Sequence, residues 1–302
     1  MKNKKVLAWT ILIVLALVWG TSFILIKRGL EVYSAGEVGA LRILAACIFM
    51  LPLSLPKLSK LSARNLKMLF GIGMLGSFIP AFLFAIGQTR LDSGVTGVMN
   101  GLTPIFVLLM GATIFKQKFE RAKYVGVALA FIGTAILLTA GSSEGGFSGF
   151  NYYAIFIVIA TMCYGVNLNI IKYYFSDLSA VVITSVSILL VGPFAAIYLF
   201  VGTDFVNKVS STPGALEALG YISLLGVMST GIALILFNRL VQITTPIFTS
   251  MVTYLIPIVA LTWGVLDGET LAAGQIGGIA AILLGVFITN KKKRAKITLA
   301  EK

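Results

Sequence analysis

The chain has 302 residues, 58% of them hydrophobic and only 12% charged, with a mean hydropathy of +0.98. Soluble domains average about 45–50% apolar and ~25% charged, so a soluble core of this length cannot hide such a surface and most of it must face lipid or other membrane helices. The net charge of +13 does not point to nucleic acid, because the lysines and arginines stand in short runs between apolar segments, and the lack of histidine excludes Ser-His-Asp, Cys-His and HExxH chemistry.

Lys2, Lys4 and Lys5 precede an apolar run from Val6 to Ile26. That run is longer than the ~7–15 residues of a signal-peptide core and lacks a small-residue cleavage pattern, so it reads as a retained first helix. Apolar windows bounded by charges or by Gly, Ser and Pro predict ten helices in all. They lie at 6–26, 37–55, 66–88, 93–114, 122–140, 151–171, 179–201, 217–238, 243–266 and 271–290. The Gly/Ser-rich stretch 141–150 separates two units of five, residues 1–140 and 151–290, and residues 291–302 form a basic tail. Cys47 and Cys163 both lie inside apolar segments, with neither a disulfide framework nor metal-ligand spacing around them.

If the segments alternate across the membrane, 19 of the 24 lysines and arginines fall on the side of the N-terminus. That bias predicts that both termini are cytoplasmic. Five helices per unit is an odd number, so the second unit must lie upside down relative to the first. The sequence repeats itself accordingly. LTPIFVLLMG at 102–111 matches LIPIVALTWG at 255–264, Gly126 and Gly133 repeat the spacing of Gly278 and Gly285, and Trp19 through Lys27 aligns with Tyr164 through Lys172. The predicted fold is an all-α membrane protein of ten transmembrane helices in two inverted five-helix repeats, with a site near the midplane between them.

Polar side chains at membrane depth face a bundle interior or a water-filled cavity, since lipid cannot satisfy them. Thr21 and Ser22 in helix 1, and Asn167 in helix 6, are such residues, although a hydroxyl can also bond its own helix backbone. Asn100 and Thr253 lie four residues before Pro104 and Pro257, so each proline frees their carbonyls. Trp19, Tyr164 and Tyr254 are candidates for an aromatic wall. Arg42 is the deepest cation and could hold a substrate carboxylate. Lys27 and Lys172 read as snorkelling to the interfaces. Gly97 and Gly101, like Gly274 and Gly278, allow close helix approach. No carboxylate lies deep in a helix; Glu31, Glu37, Asp92, Asp267 and Glu269 are expected at helix ends, in water, with ordinary pKa values. Glu269 has Gln117 at its matched position, which favours a local capping role.

VWGTSF-x3-K at 18–27, LTPIF at 102–106, and the run from Leu240 through Gly285 with Glu269, Gly278 and Gly285 resemble the EamA-type members of the drug/metabolite transporter superfamily. The resemblance covers almost the whole chain. It implies a ten-helix inverted-repeat transporter that moves small metabolites, often outward, and no particular substrate. The resulting reading is an inner-membrane carrier of small organic metabolites, amino acids or related compounds among them, working by alternating access as an exporter or facilitator. It implies no cofactor, and as partners a small-molecule substrate and the bilayer, with the protein a monomer or homodimer. The alternatives are an intramembrane enzyme, against which the missing nucleophile motif and missing histidine argue, and a membrane assembly or lipid-handling, flippase-like subunit.

Overall fold

A computed structural model describes residues 2–116, 121–140, 151–175, 178–243 and 252–290, and every regular element among them is helical. In chain order the main helices are α1 (Lys2–Leu30), α2 (Ala35–Leu58), α3 (Ala63–Gln88), α4 (Ser93–Thr113), α5 (Arg121–Thr139), α6 (Ala154–Tyr174), α7 (Ala180–Val201), α8 (Ala215–Phe237), α9 (Val252–Leu266) and α10 (Ala273–Asn290). Seven of these, all but α5, α9 and α10, are long and apolar enough to cross a membrane. A short helix, Phe205–Ser211, lies on the α7–α8 connection, and helical backbone continues beyond α8 to Ile243. The 141–150 linker, Gln117, the start of the ninth predicted helix and the basic tail lie outside the described residues.

Helix starts follow capping chemistry. The Ser34 hydroxyl accepts from the Glu37 amide while the Glu37 carboxylate accepts from the Ser34 amide, and the Ser62 and Ser179 hydroxyls cap α3 and α7. Helix α1 runs to Leu30 rather than Ile26, taking Lys27 and Arg28 into its last turn, where the helix dipole favours cations. Three helices are irregular. The backbone of α3 widens into a π-helical turn at Met74–Phe78, and that of α8 does so at Leu225–Ile232. Helix α4 breaks at Gly101–Leu102, just ahead of Pro104, whereas Pro257 is absorbed inside an unbroken α9.

Glycines set the closest helix contacts. Gly126 and Gly133 of α5 face the carbonyls of Gly285 and Gly278 on α10, so the two helices run antiparallel with backbones touching at both seven-residue steps. Gly36 against Tyr198 and Gly192 against Cys47 make α2 and α7 antiparallel as well. Gly20 seats α1 against Ile256 and Val259 of α9, and its sequence match Gly165 seats α6 against Phe106 of α4. Gly73 holds α3 on the Ser187–Val191 stretch of α7, while Gly226 holds α8 on Arg42 and Ala45 of α2.

A methyl group on Gly278 would lie 2.6 Å from the Leu137 amide nitrogen and 2.8 Å from the Gly133 carbonyl, while one on Gly277 would meet nothing within 4 Å. Gly278→Ala is expected to lower stability by about 1–3 kcal/mol, the usual cost of overpacking. Gly277→Ala should be neutral or slightly stabilising, because alanine is the better helix former. Thermal unfolding midpoints of the two variants in detergent decide the matter; equal midpoints would contradict the α5–α10 packing.

Candidate functional site

The largest departures from regular helix surround one cavity of about 270 Å³, lined by residues of α1, α2, α3, α4, α6, α8 and α9. Of the residues singled out in the sequence, Trp19, Ser22, Arg42, Asn100, Tyr164, Asn167 and Thr253 line it. Thr21 and Tyr254 do not. The Thr21 hydroxyl accepts from the Trp263 indole at 2.9 Å on the outside of α1, and the Tyr254 hydroxyl donates to the Val286 carbonyl while its ring packs on Phe287. Each is one residue from a cavity residue, and one residue turns a helical side chain by about 100°.

The wall is held by side chains that take up backbone carbonyls. The Trp19 indole donates to the Ser229 carbonyl at 3.0 Å, inside the π-helical turn of α8. The Thr103 hydroxyl donates to the Asn100 carbonyl at 2.9 Å, so the carbonyl expected to be free below Pro104 is already satisfied. Asn169 bridges α6 to α4 by donating to the Val107 carbonyl at 2.9 Å. Ser22 donates to its own helix at Val18 while still lining the cavity. Arg42 reaches across from α2, its Nε donating to the Thr230 hydroxyl at 3.4 Å.

Several wall residues were not foreseen. Gly76 and Ser77 on α3, and Ser229 and Thr230 on α8, come from the two π-helical turns, and Phe84 and Phe237 close the wall beyond them. A signal for them exists in register: GMLGSFIPAFLF at 73–84 and GVMSTGIALILF at 226–237 stand at the same spacing as Pro104 and Pro257. The aromatic wall is then made of two matched pairs. Trp19 meets Phe237 with ring centroids 5.5 Å apart, and Tyr164 meets Phe84 at 6.0 Å.

At the end of the bundle where α1 finishes, charges pair across the chain. Lys27 bonds Glu269 at 2.8 Å and Asp267 at 2.5 Å, Arg28 bonds Asp267, and Lys208 bonds Glu37 at 2.7 Å. Lys27 therefore does not snorkel freely. Glu269 also accepts from the Ser93 and Gly94 amides, each at 2.9 Å, and so caps α4 from the far half of the sequence, while Asp92 at the N-cap makes no capping bond.

These acids are not the water-bathed groups expected: the side chains of Glu37, Asp267 and Glu269 are 1%, 9% and 5% exposed. Burial works against the charge of Glu269, but the Lys27 hydrogen bond and the donors of Gly94 and Ser93 outweigh it and hold the carboxyl below its ordinary value. Lys27, joined by Arg28, likewise holds Asp267 low against burial. Burial and the neighbouring Glu269 charge push Asp92 the other way, upward, with Lys27 partly offsetting them.

A carboxyl depressed in the folded state stabilises fully above its unfolded pKa and loses that stabilisation as pH falls through the folded value. Thermal stability in detergent should therefore hold down to about pH 5 and decline below it as Glu269 and Asp267 take up protons. Glu269→Gln is expected to lower stability at pH 7 by about 2 kcal/mol, less than the ~3–5 for breaking a fully buried pair because Lys27 keeps Asp267 and some water. It should also flatten the acid limb. A variant curve parallel to the parent's would contradict the role of Glu269.

With this geometry in place, comparison with known proteins identifies the chain. It matches the EamA-like transporter family twice, over residues 7–139 and 151–291. It is 26% identical to an uncharacterized transporter of Archaeoglobus fulgidus, covering 94% of this chain and 99% of that one. It is 25% identical to the uncharacterized inner membrane transporter YedA of Escherichia coli, covering 93% and 90%. It is also 24% identical to a probable amino-acid metabolite efflux pump of Salmonella typhimurium, covering 91% and 92%. A solved crystal structure with 16% identity superposes with a TM-score of 0.59 over 93% of this chain and 95% of the other, a likeness of fold. The chain belongs to the EamA-like transporter family and is a membrane transporter.

Proposed function

We propose that the protein carries a small organic metabolite, an amino acid or a related compound, across the inner membrane by alternating access of two inverted five-helix halves. One observation carries this reading: the cavity is built twice from matched positions. Trp19 with Phe237 answers Tyr164 with Phe84, Ser22 answers Asn167, Ser77 answers Thr230, and Asn100 answers Thr253. A site built from matched positions of both halves is one that either half can expose by rocking against the other.

The packing supports ten crossings in two inverted units. Exchanging each helix for the one five places on turns the α1–α9 contact into α6–α4, and α3–α7 into α8–α2. It leaves the antiparallel α2–α7 and α5–α10 pairs unchanged, as a two-fold axis in the membrane plane requires. The family match over 7–139 and again over 151–291 supports the same division. The charge distribution supports cytoplasmic termini and, with them, an outer position for the Lys27–Asp267–Glu269 cluster. That cluster joins α1, α4 and the α9–α10 connection, so it must part when the cavity opens on that side.

Metabolite transport is supported by the Salmonella relative, and the inner membrane by YedA. Among the described residues no carboxylate lines the cavity. At the outer end Glu37, Asp267 and Glu269 are paired with lysine or arginine, and none of them, nor Asp92, lines it. We therefore read the carrier as an exporter or facilitator that runs on its substrate's gradient.

Two expected outcomes follow. In a cysteine-free background, Ser211→Cys, on the short helix after α7, should react with an impermeant thiol reagent applied to intact cells. Ser59→Cys, at the end of α2, should stay protected; the reverse pattern would invert the topology. In proteoliposomes holding a labelled amino-acid panel at equal concentration on both sides, an imposed pH gradient should cause no net accumulation. Accumulation abolished by a protonophore would show proton coupling.

A further inference from the structure

The charges of the cavity define more than a generic metabolite. At the end of the bundle beyond it, Lys27, Arg28 and Lys208 each have a carboxylate partner. Arg42 has none among the described residues; its neighbours in the wall are the hydroxyls of Thr230 and Tyr164. No carboxylate among the described residues lines the cavity, so the wall carries one uncompensated positive charge. A charge held in low dielectric is costly until an opposite charge meets it, and a guanidinium presents a planar fork that fits a carboxylate.

A second, independent feature is Asn167. It is 9% exposed, it lines the cavity, and its Oδ1 is buried with no hydrogen-bond partner. Gly76 makes room for it, since a side chain there would collide with the Asn167 amide. A buried acceptor left unpaired is rare, and here it belongs to a residue that lines the cavity. The aromatic pairs Trp19–Phe237 and Tyr164–Phe84 supply apolar faces for the rest of the molecule.

We infer that the cavity selects small organic monoanions, seating a carboxylate on Arg42 and presenting a neutral donor, a hydroxyl or amide N–H, to Asn167. This rests on the transport reading above and sharpens its substrate class. Charge balance favours the monoanion over a zwitterionic amino acid. The carboxylate of either neutralises Arg42, but the zwitterion then brings a buried ammonium that meets only neutral acceptors.

The test is counterflow by the full-length protein in proteoliposomes, with matched series built on alanine, leucine and phenylalanine side chains: the 2-hydroxy acid, the free amino acid and the amino-acid amide. The 2-hydroxy acids should exchange about tenfold faster than the amino acids and amides in at least one series. That comparison uses the unaltered protein, so it does not depend on any variant folding. Arg42→Gln should abolish the preference and Arg42→Lys weaken it. Asn167→Leu should slow the 2-hydroxy acid more than the corresponding acid without a hydroxyl. If amino acids or amides move as fast or faster, or if Arg42→Gln keeps the preference, the anion inference falls while transport stands. If no member of any series moves, both fall.

Discussion

A backbone carbonyl in the bilayer interior has no water to turn to, so any helix that opens there must bring its own donor. Among the described residues three helices open: α3 and α8 at their π-helical turns, α4 ahead of Pro104. For two of them the donor is seen: the Trp19 indole takes the Ser229 carbonyl in the widened turn of α8, and the Thr103 hydroxyl takes the Asn100 carbonyl at the break in α4. These bonds fix the walls where the irregular turns meet. Widened turns commonly mark functional positions because they redirect the side chains on them. Here they aim Ser77 on one side and Ser229 and Thr230 on the other at a common space.

Around that space the two halves divide their labour unevenly. The scaffold is shared: Gly20 and Gly165 make equivalent close contacts, and α5 meets α10 through glycines of both halves. The charges are not shared. Counting from the capping serines Ser34 and Ser179, the position of Arg42 in α2 is held in α7 by Ser187, whose hydroxyl is spent on the Thr184 carbonyl of its own helix. Glu269, which caps α4 and pairs with Lys27, stands where the first half has Gln117. On the proposed inverted-repeat reading, duplication supplies a symmetric frame, and divergence leaves, among the described residues, one cation in the cavity wall and one acidic cluster joining α1 to α4.

Much of this was legible in the sequence because lipid leaves a chain few options. Long apolar windows had to be helices, whereas the seven-residue glycine steps were legible only as a repeat, and the structure shows that they also carry the α5–α10 contact. Asn100 and Asn167 were recognisable because an amide at membrane depth needs a polar neighbour. Thr21 and Tyr254 were misplaced because polarity says that a residue seeks a partner but not which one; Trp263 and Val286 satisfy them away from the cavity. Glu269 was misread for a different reason. Its partners Lys27, Ser93 and Gly94 lie more than 170 residues away in sequence, and no local pattern reports such a pairing. The π-helical turns had no composition of their own and became visible only through the register shared by 73–84 and 226–237.

The central claim is that one cavity between two matched halves opens to each side of the membrane in turn. A cysteine at Ser77, on the cavity wall, in a variant lacking Cys47 and Cys163, probes it directly in oriented proteoliposomes. The account predicts reaction with an impermeant thiol reagent applied from either side, slowed from both by a transported substrate. Reaction from one side only, or from neither, would contradict it.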